Sequence, residues 1–432
     1  MSAPAESTTA RPAKFLGWRM LAFATVTAAL TGPGQTIGVS VFIDHIISDL
    51  GLTRSEVSTA YLIGTMLGAL TLPTVGRWID RVGVRPAIMA IGAGFAAALV
   101  AMSGVGNFIT LAAGFTFIRL LGQGSLSLAS TVAVTHWFDR RRGFALGLFA
   151  TASGALMALT PVFLNLVINA YSWRTAWIVA GIAILVIVVP IARWGLISYP
   201  SDVGQVPDGT AAVTVDGIEA PARPSATRAE ALRTVGFWIL LAGSASNAML
   251  ATALNFHQIS LLGEAGMSSA EAALMFLPQV IGGSLAGIGM GALTDRVSAR
   301  WLIPVTMLFL AGALGLASIV SRGWLVVAYA ICLGLANGSG RAVGAAFLPK
   351  WFGVHHIGSI QGFMTFAGVA ASAVGPVAFS LGRDRFGDFG STSLFYAAIP
   401  LTVAMAAVVL LDRPVRGRAR PDRIDTRLGA EP

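Results

Sequence analysis

Two arginines, Arg119 and Arg341, lie inside long apolar runs, and no aspartate or glutamate stands in the middle of any such run. A cation at bilayer depth costs at least about 2.5–3.5 kcal/mol on insertion scales, so an intramembrane arginine marks a pathway by default. Its guanidinium is a planar donor fork suited to a carboxylate. With no internal acid nearby, each must be stabilised by backbone carbonyls, by a water-filled cavity or by an anionic substrate. Around Arg341 the residues Gly334, Asn337, Gly338 and Gly344 make a small or polar face at helical spacing. Such a face serves close helix packing or lines a wet cavity. The run containing Arg119 offers Gln123, and the first run contains Gly32-Pro33-Gly34-Gln35, a kink that exposes backbone near midplane. Asn247 stands in another run, with Asn255 and His257 further along it. The candidate substrate-binding residues are therefore Arg341, Arg119, Asn337, Gln35, Gln123 and Asn247, although lone amides serve interhelical hydrogen bonds as readily as ligands. Histidine titrates near neutral pH, so His257 and Asp44 are the candidates for proton coupling. Asp44, at a run end, reads equally as a solvated carboxylate.

Other chemistries lack residues. No Ser-His-Asp set or phosphate-binding loop appears, and the five histidines lack ligand spacing apart from the adjacent His355-His356 pair. The single cysteine, Cys332, excludes an intramolecular disulfide and a multi-thiolate metal site. An enzyme, a metal centre and a bound cofactor are not expected.

The elements that must position these residues follow from composition. Of 432 residues, 55% are hydrophobic and 11% charged. Soluble chains carry about 25% charged residues, so most of this surface faces something other than water. The net charge of +9 sits in short clusters between apolar runs, which is the positive-inside pattern rather than a nucleic-acid surface. A spanning helix needs about 20 mostly apolar residues. Spans are expected near 16–43, 57–76, 86–105, 108–135, 144–170, 174–196, 236–260, 272–292, 301–320, 324–349, 358–381 and 392–411. The N-terminal stretch 1–14 shows no cleavable signal pattern. Arg77, Arg81 and Arg85, the cluster 140–142, Arg296 and Arg300, and the tail arginines fall on one side, with Arg383 and Arg385 as exceptions. That side should be cytoplasmic, with both termini inside an inner membrane. The expected organisation is an N-terminal tail 1–14, a six-helix half 15–196, a cytoplasmic loop 197–228, a second six-helix half 229–411 and a polar tail 412–432.

The halves repeat. Gly51-Leu-Thr-Arg-Ser-Glu56 matches Gly266-Met-Ser-Ser-Ala-Glu271, and Gly76-Arg-Trp-Ile-Asp80-Arg81 matches Gly291-Ala-Leu-Thr-Asp295-Arg296, both at an offset of 215 (266 against 51, 295 against 80). Trp137-Phe138 and Trp351-Phe352 match at 214. A long internal repeat sets the fold, and in transporters such repeats flank a midplane site. Thr53-x-x-Glu56 and Ser268-x-x-Glu271 read as capping boxes that open helices.

The stretch Gly76-x-x-x-Asp80-Arg81-x-Gly83-x-Arg85 resembles the loop signature of the major facilitator superfamily, and the resemblance covers the chain from about 15 to 411. It implies an all-α membrane protein of about twelve transmembrane helices in two pseudo-symmetric six-helix bundles. It implies that the loop is a gate latch, placing Gly76, Asp80, Arg81, Gly83, Arg85, Asp295 and Arg296 in gating, with Arg81 and Arg85 also able to reach lipid headgroups. It places the first, fourth, seventh and tenth helices around a central cavity. It also leaves Arg119 open to a second role, because many members carry a structural arginine on the fourth helix bonded to the first.

Trp137-Phe138-x-x-Arg141-Arg142-Gly143, Tyr199-Pro-Ser-Asp-Val-Gly204 and Trp351-Phe352-Gly353-x-x-His356 are similar to the monocarboxylate porter and oxalate:formate antiporter branch. That branch usually holds its carboxylate with cations on the eighth and eleventh helices. Here 272–291 and 358–381 contain no Arg or Lys, and Arg383 and Arg385 are placed past the end of the eleventh helix. The expected function is secondary active transport of a small organic anion, a carboxylate among them, by alternating access with proton symport or anion exchange. The expected partners are that anion, the lipid bilayer and protons, with a monomer as functional unit. The alternatives are export of an amphipathic metabolite or drug, and a non-transporting receptor or scaffold.

Overall fold

The computed structural model describes residues 15–139, 141–207, 226–294, 296–352 and 357–411. Of the expected elements, both tails, most of the central loop, Asp295 and the His355-His356 pair lie outside the described residues, as does the side chain of Asp80.

Ten helices are long and apolar enough to cross a bilayer, and one bent pair makes an eleventh. In chain order the first half holds α1 (Gly17–Ser40 with Ile43–Leu50, bent by 65°), α2 (Arg54–Val82), α3 (Val84–Met102), α4 (Phe108–Trp137), α5 (Phe144–Ala170) and α6 (Trp173–Gly195). The second half holds α7 (Val235–Glu264), α8 (Ser269–Leu293), α9 (Ala299–Ser318), α10 (Trp324–Phe352), α11 (Ile360–Phe386) and α12 (Phe389–Leu410). With 29 residues at about 1.5 Å each, α2 is long enough to be the twelfth span.

Local chemistry places these ends. Thr53 and Glu56 cap α2 reciprocally, and Ser268 and Glu271 do the same for α8, satisfying backbone donors that no helical carbonyl can reach. The glycines that precede them, Gly51 and Gly266, both have positive φ (65° and 82°), a conformation glycine adopts without steric cost. The internal repeat is thus a repeat of one turn-and-cap structure. α1 breaks at Gly32–Gly34, where Pro33 removes a donor.

Helix pairing follows the same twofold relation. α3 packs on α6 as α9 does on α12, α2 on α4 as α8 on α10, and α1 on α5 as α7 on α11. The tightest crossing joins α8 to α10. A Cβ at Gly334 would stand 2.0 Å from the Gln279 carbonyl oxygen, and one at Gly338 2.0 Å from that of Gly283. Small residues here let backbones touch, as expected where lipid supplies no hydrophobic drive to association.

Two expectations change. α11 continues to Phe386, so Arg383 and Arg385 lie in its last turn rather than past its end. The reason is an ion pair: Arg383 Nε donates to Glu264 Oε1 on α7 at 2.8 Å, and Glu264 also accepts the Phe389 N–H at 3.0 Å, which binds the α11–α12 turn to α7. Within α4, residues Arg119–Leu126 form a π-helical segment that the sequence reading treats as ordinary α-helix.

Candidate substrate site

Between the halves lies a cavity of about 1000 Å³, walled by α1, α4 and α5 on one side and α7, α8 and α10 on the other. It widens toward the face that bears the chain's tails. Phe144 at the start of α5 is 65% exposed and Ile288 near the end of α8 is 72% exposed, and both line the cavity.

The opposite face is shut by polar contacts across the halves. Arg54 of α2 donates to Asp44 of α1 at 2.5 Å and to the Ser260 hydroxyl of α7 at 2.8 Å. Ser260 in turn donates to both Asp44 oxygens at 2.9 Å. Ser58 and Ser380 share a buried hydrogen bond of 2.6 Å, and Ser55 donates to Asp384 at 2.6 Å. Tyr61 packs on Phe256 with ring centroids 4.7 Å apart. Asp44 is therefore engaged in an interhalf ion pair, not simply solvated. Replacing it with Asn should weaken this closure. An exposed pair contributes about 0.2–1 kcal/mol, and one further hydrogen bond about 1 kcal/mol, so the open population should rise about two- to tenfold. Spin labels at Tyr171 and Ile319 would report it as a longer distance in Asp44→Asn; an unchanged distance distribution would remove Asp44 from the closure.

Arg341 stands on the cavity wall with its side chain exposed to the space. Its Nη2 lies 3.8 Å from the position a Gly283 Cβ would take, so the close α8–α10 crossing is what lets the guanidinium pass α8 into the cavity. It forms no hydrogen bond or ion pair within the described residues. It is also the only charged side chain among the described residues of the wall.

Arg119 is different. It is 4% exposed and off the wall. Its Nε donates to Thr65 Oγ1 (3.0 Å), its Nη1 to the Gly34 carbonyl (3.2 Å), and its guanidinium lies 4.7 Å over the Tyr61 ring. It serves the carbonyl freed by the α1 break.

Of the amides, Asn337 lines the cavity and accepts from Asn247 Nδ2 at 3.5 Å. Asn247 itself is off the wall, as are Gln35, which donates to Thr31, and Gln123 in the π-helical segment. His257 is wholly buried near the closed face, with Nε2 3.0 Å from the Pro376 carbonyl oxygen and 3.4 Å from Ser380 Oγ.

The expected gating residues lie at the tail-bearing face. Arg81 and Arg296 are exposed, and Gly76 has room beside Leu128. Gly83 takes φ 85° in the α2–α3 turn. Arg85 is turned to protein rather than to headgroups: its N–H donates to Ser198 Oγ (3.1 Å) and its Nη2 to the Arg193 carbonyl (2.6 Å).

The residues that sequence reasoning missed are Gln279 and its partner Gln258. Gln279 lines the cavity and donates from Nε2 to Gln258 Oε1 at 2.5 Å. A glutamine one turn before Gly283, in an otherwise apolar run, was the available signal.

Comparison with known proteins fits this architecture. The family model described as Major Facilitator Superfamily matches residues 21–288 and 248–430. The chain belongs to the major facilitator superfamily. It is a multi-pass membrane transporter, a carrier and not an enzyme. Among superfamily relatives, the chain is 34% identical to a Mycobacterium tuberculosis protein described as "Probable nitrate/nitrite transporter NarK2" over 188 residues, 40% of this chain and 47% of that one. The match thus spans about half of that relative's length. Human monocarboxylate transporter 11 is 23% identical over 410 residues, 89% of this chain and 81% of that one. A bacterial homologue of the human lysosomal transporter Spinster, solved inward-facing and unoccupied, superposes with a TM-score of 0.65 at 17% identity, covering 92% of both chains. That likeness is one of fold.

Proposed function

We propose that this protein is a secondary active transporter of small organic anions, carboxylates among them, with Arg341 as the anion anchor and the two halves rocking about the central cavity. The observation that carries this reading is a bare guanidinium exposed in a cavity whose described wall holds no acid. An unpaired cation among apolar side chains is costly, and an anionic ligand supplies the missing partner. Relatives described as a nitrate/nitrite transporter, a monocarboxylate transporter and a sulfoacetate transporter support anions as the class. The same positive wall disfavours cationic drugs as cargo. Arg119, His257 and Asp44 act on the scaffold and on the closed face in this reading, with Asp44 the better placed of the titratable pair for proton coupling. Asp80, Arg81 and their neighbours act at the opposite gate.

The test is a thermal-shift screen of purified protein against organic anions, followed by flux of the hits in proteoliposomes. Stabilisation by one or more anions and saturable uptake are expected. Stabilisation by organic cations alone would overturn the reading.

The tail-bearing face is cytoplasmic in this account, because cation clusters mark it. In a Cys332→Ser background, cysteines at Ser201 and Asn107 should label from opposite sides of the membrane. Labelling of both from outside would contradict the orientation.

A further inference from the structure

Gln258 is wholly buried and donates from Nε2 to the backbone carbonyl of Ala272 at 3.1 Å. A carbonyl only accepts, so this bond fixes which end of the amide points to it. Gln258 Oε1 then faces the other way and accepts from Gln279 Nε2. The order passes to the next amide: with its nitrogen committed to Gln258, Gln279 turns its oxygen elsewhere. Gln279 lines the cavity, and its Oε1 accepts no hydrogen bond within the described residues. Asn255, one turn from Gln258 on α7, lines the same cavity, and its Oδ1 is buried without a partner. Two amide oxygens thus stand beside an otherwise largely apolar space with nothing to donate to them. A buried acceptor without a donor is unfavourable, and a ligand hydroxyl relieves it.

The cation stands close by on the same wall. Gly283, beside the Arg341 guanidinium, follows Gln279 by one helical turn, about 6 Å along α8. We propose that Gln279 and Asn255 form a donor-seeking second pole of this site, and that the transported anion carries a hydroxyl group about one helical turn from its charge. This deepens the organic-anion reading and rests on it. A simple inorganic anion or an unsubstituted alkyl acid meets one pole only; a hydroxylated carboxylate meets both.

Matched acids test this with the full-length protein: propionate with lactate, butyrate with 3-hydroxybutyrate, and benzoate with 3- and 4-hydroxybenzoate, their affinities measured by calorimetry. At least one hydroxy acid should bind about three- to tenfold more tightly than its parent, the range one neutral hydrogen bond supports. Gln279→Met and Asn255→Leu should erase that preference while keeping the parent's affinity, whereas Arg341→Ala should weaken both acids. If Gln279→Met fails to fold, Asn255→Leu and the wild-type preference decide. Parent acids that bind wild type as tightly as every hydroxy partner, or a preference that survives both substitutions, would overturn the second pole and leave the anion reading standing. Binding of no acid of either kind would remove the anion reading and this inference together.

Discussion

Gly338→Ala should abolish transport and markedly destabilise the protein. The added Cβ would stand 2.0 Å from the Gly283 carbonyl oxygen and 2.8 Å from its carbonyl carbon. Both belong to backbone, so no side-chain rotation relieves the clash, and α8 and α10 must separate. Overpacking a tight interior costs about 1–3 kcal/mol and occasionally more; contact with backbone puts this case at the upper end. Separation of these helices also displaces the Arg341 guanidinium from its place beside Gly283, so the surviving protein should bind anion poorly. Gly287→Ala is the control. Gly287 lines the same cavity, yet a Cβ there meets nothing within 4 Å, so its stability should stay within about 1 kcal/mol of wild type. A fluorescence-detected melting curve of both variants separates the outcomes: equal melting temperatures would mean that the α8–α10 crossing is looser than described.

Arg341→Ala should weaken anion binding about ten- to a hundredfold with folding intact. A charge-assisted hydrogen bond contributes about 1.5–3 kcal/mol net, and 1.4 kcal/mol is tenfold. Stability should hold because Arg341 bonds to nothing in the described protein; its removal takes away a cost, not a contact. Arg341→Lys keeps the charge and loses the fork, so part of the affinity should remain. Arg119→Ala should behave in the opposite way. It strands the Gly34 carbonyl and Thr65 and should lower expression and melting temperature first.

Much of this arrangement is legible in local sequence. Gly32-Pro33-Gly34 marks the α1 break, the two capping boxes mark the starts of α2 and α8, and the offset of 215 follows Gly51 and Gly266 into the same positive-φ turn. Arg341 is legible as a charge in an apolar run. What escapes local reading depends on partners distant in the chain. Arg119 is structural in geometry because Gly34 and Thr65, 85 and 54 residues away, receive its hydrogen bonds. α11 outruns its apolar stretch because Glu264, 119 residues earlier, holds Arg383. The polarity of Gln279 is set by a carbonyl reached through Gln258. In the π-helical segment of α4, a Cβ at Gly122 would lie 2.5 Å from the Phe95 ring of α3; glycine there admits a neighbouring helix that no local pattern announces.

The most direct test of the account is uptake of a hit anion into proteoliposomes by wild-type protein and by folded Arg341→Ala and Arg341→Lys. Wild type should show saturable uptake, Arg341→Lys a reduced affinity, and Arg341→Ala an affinity lower by about ten- to a hundredfold. Wild-type affinity in both variants would contradict the central claim, because the bare guanidinium in the cavity would then have no part in holding the substrate.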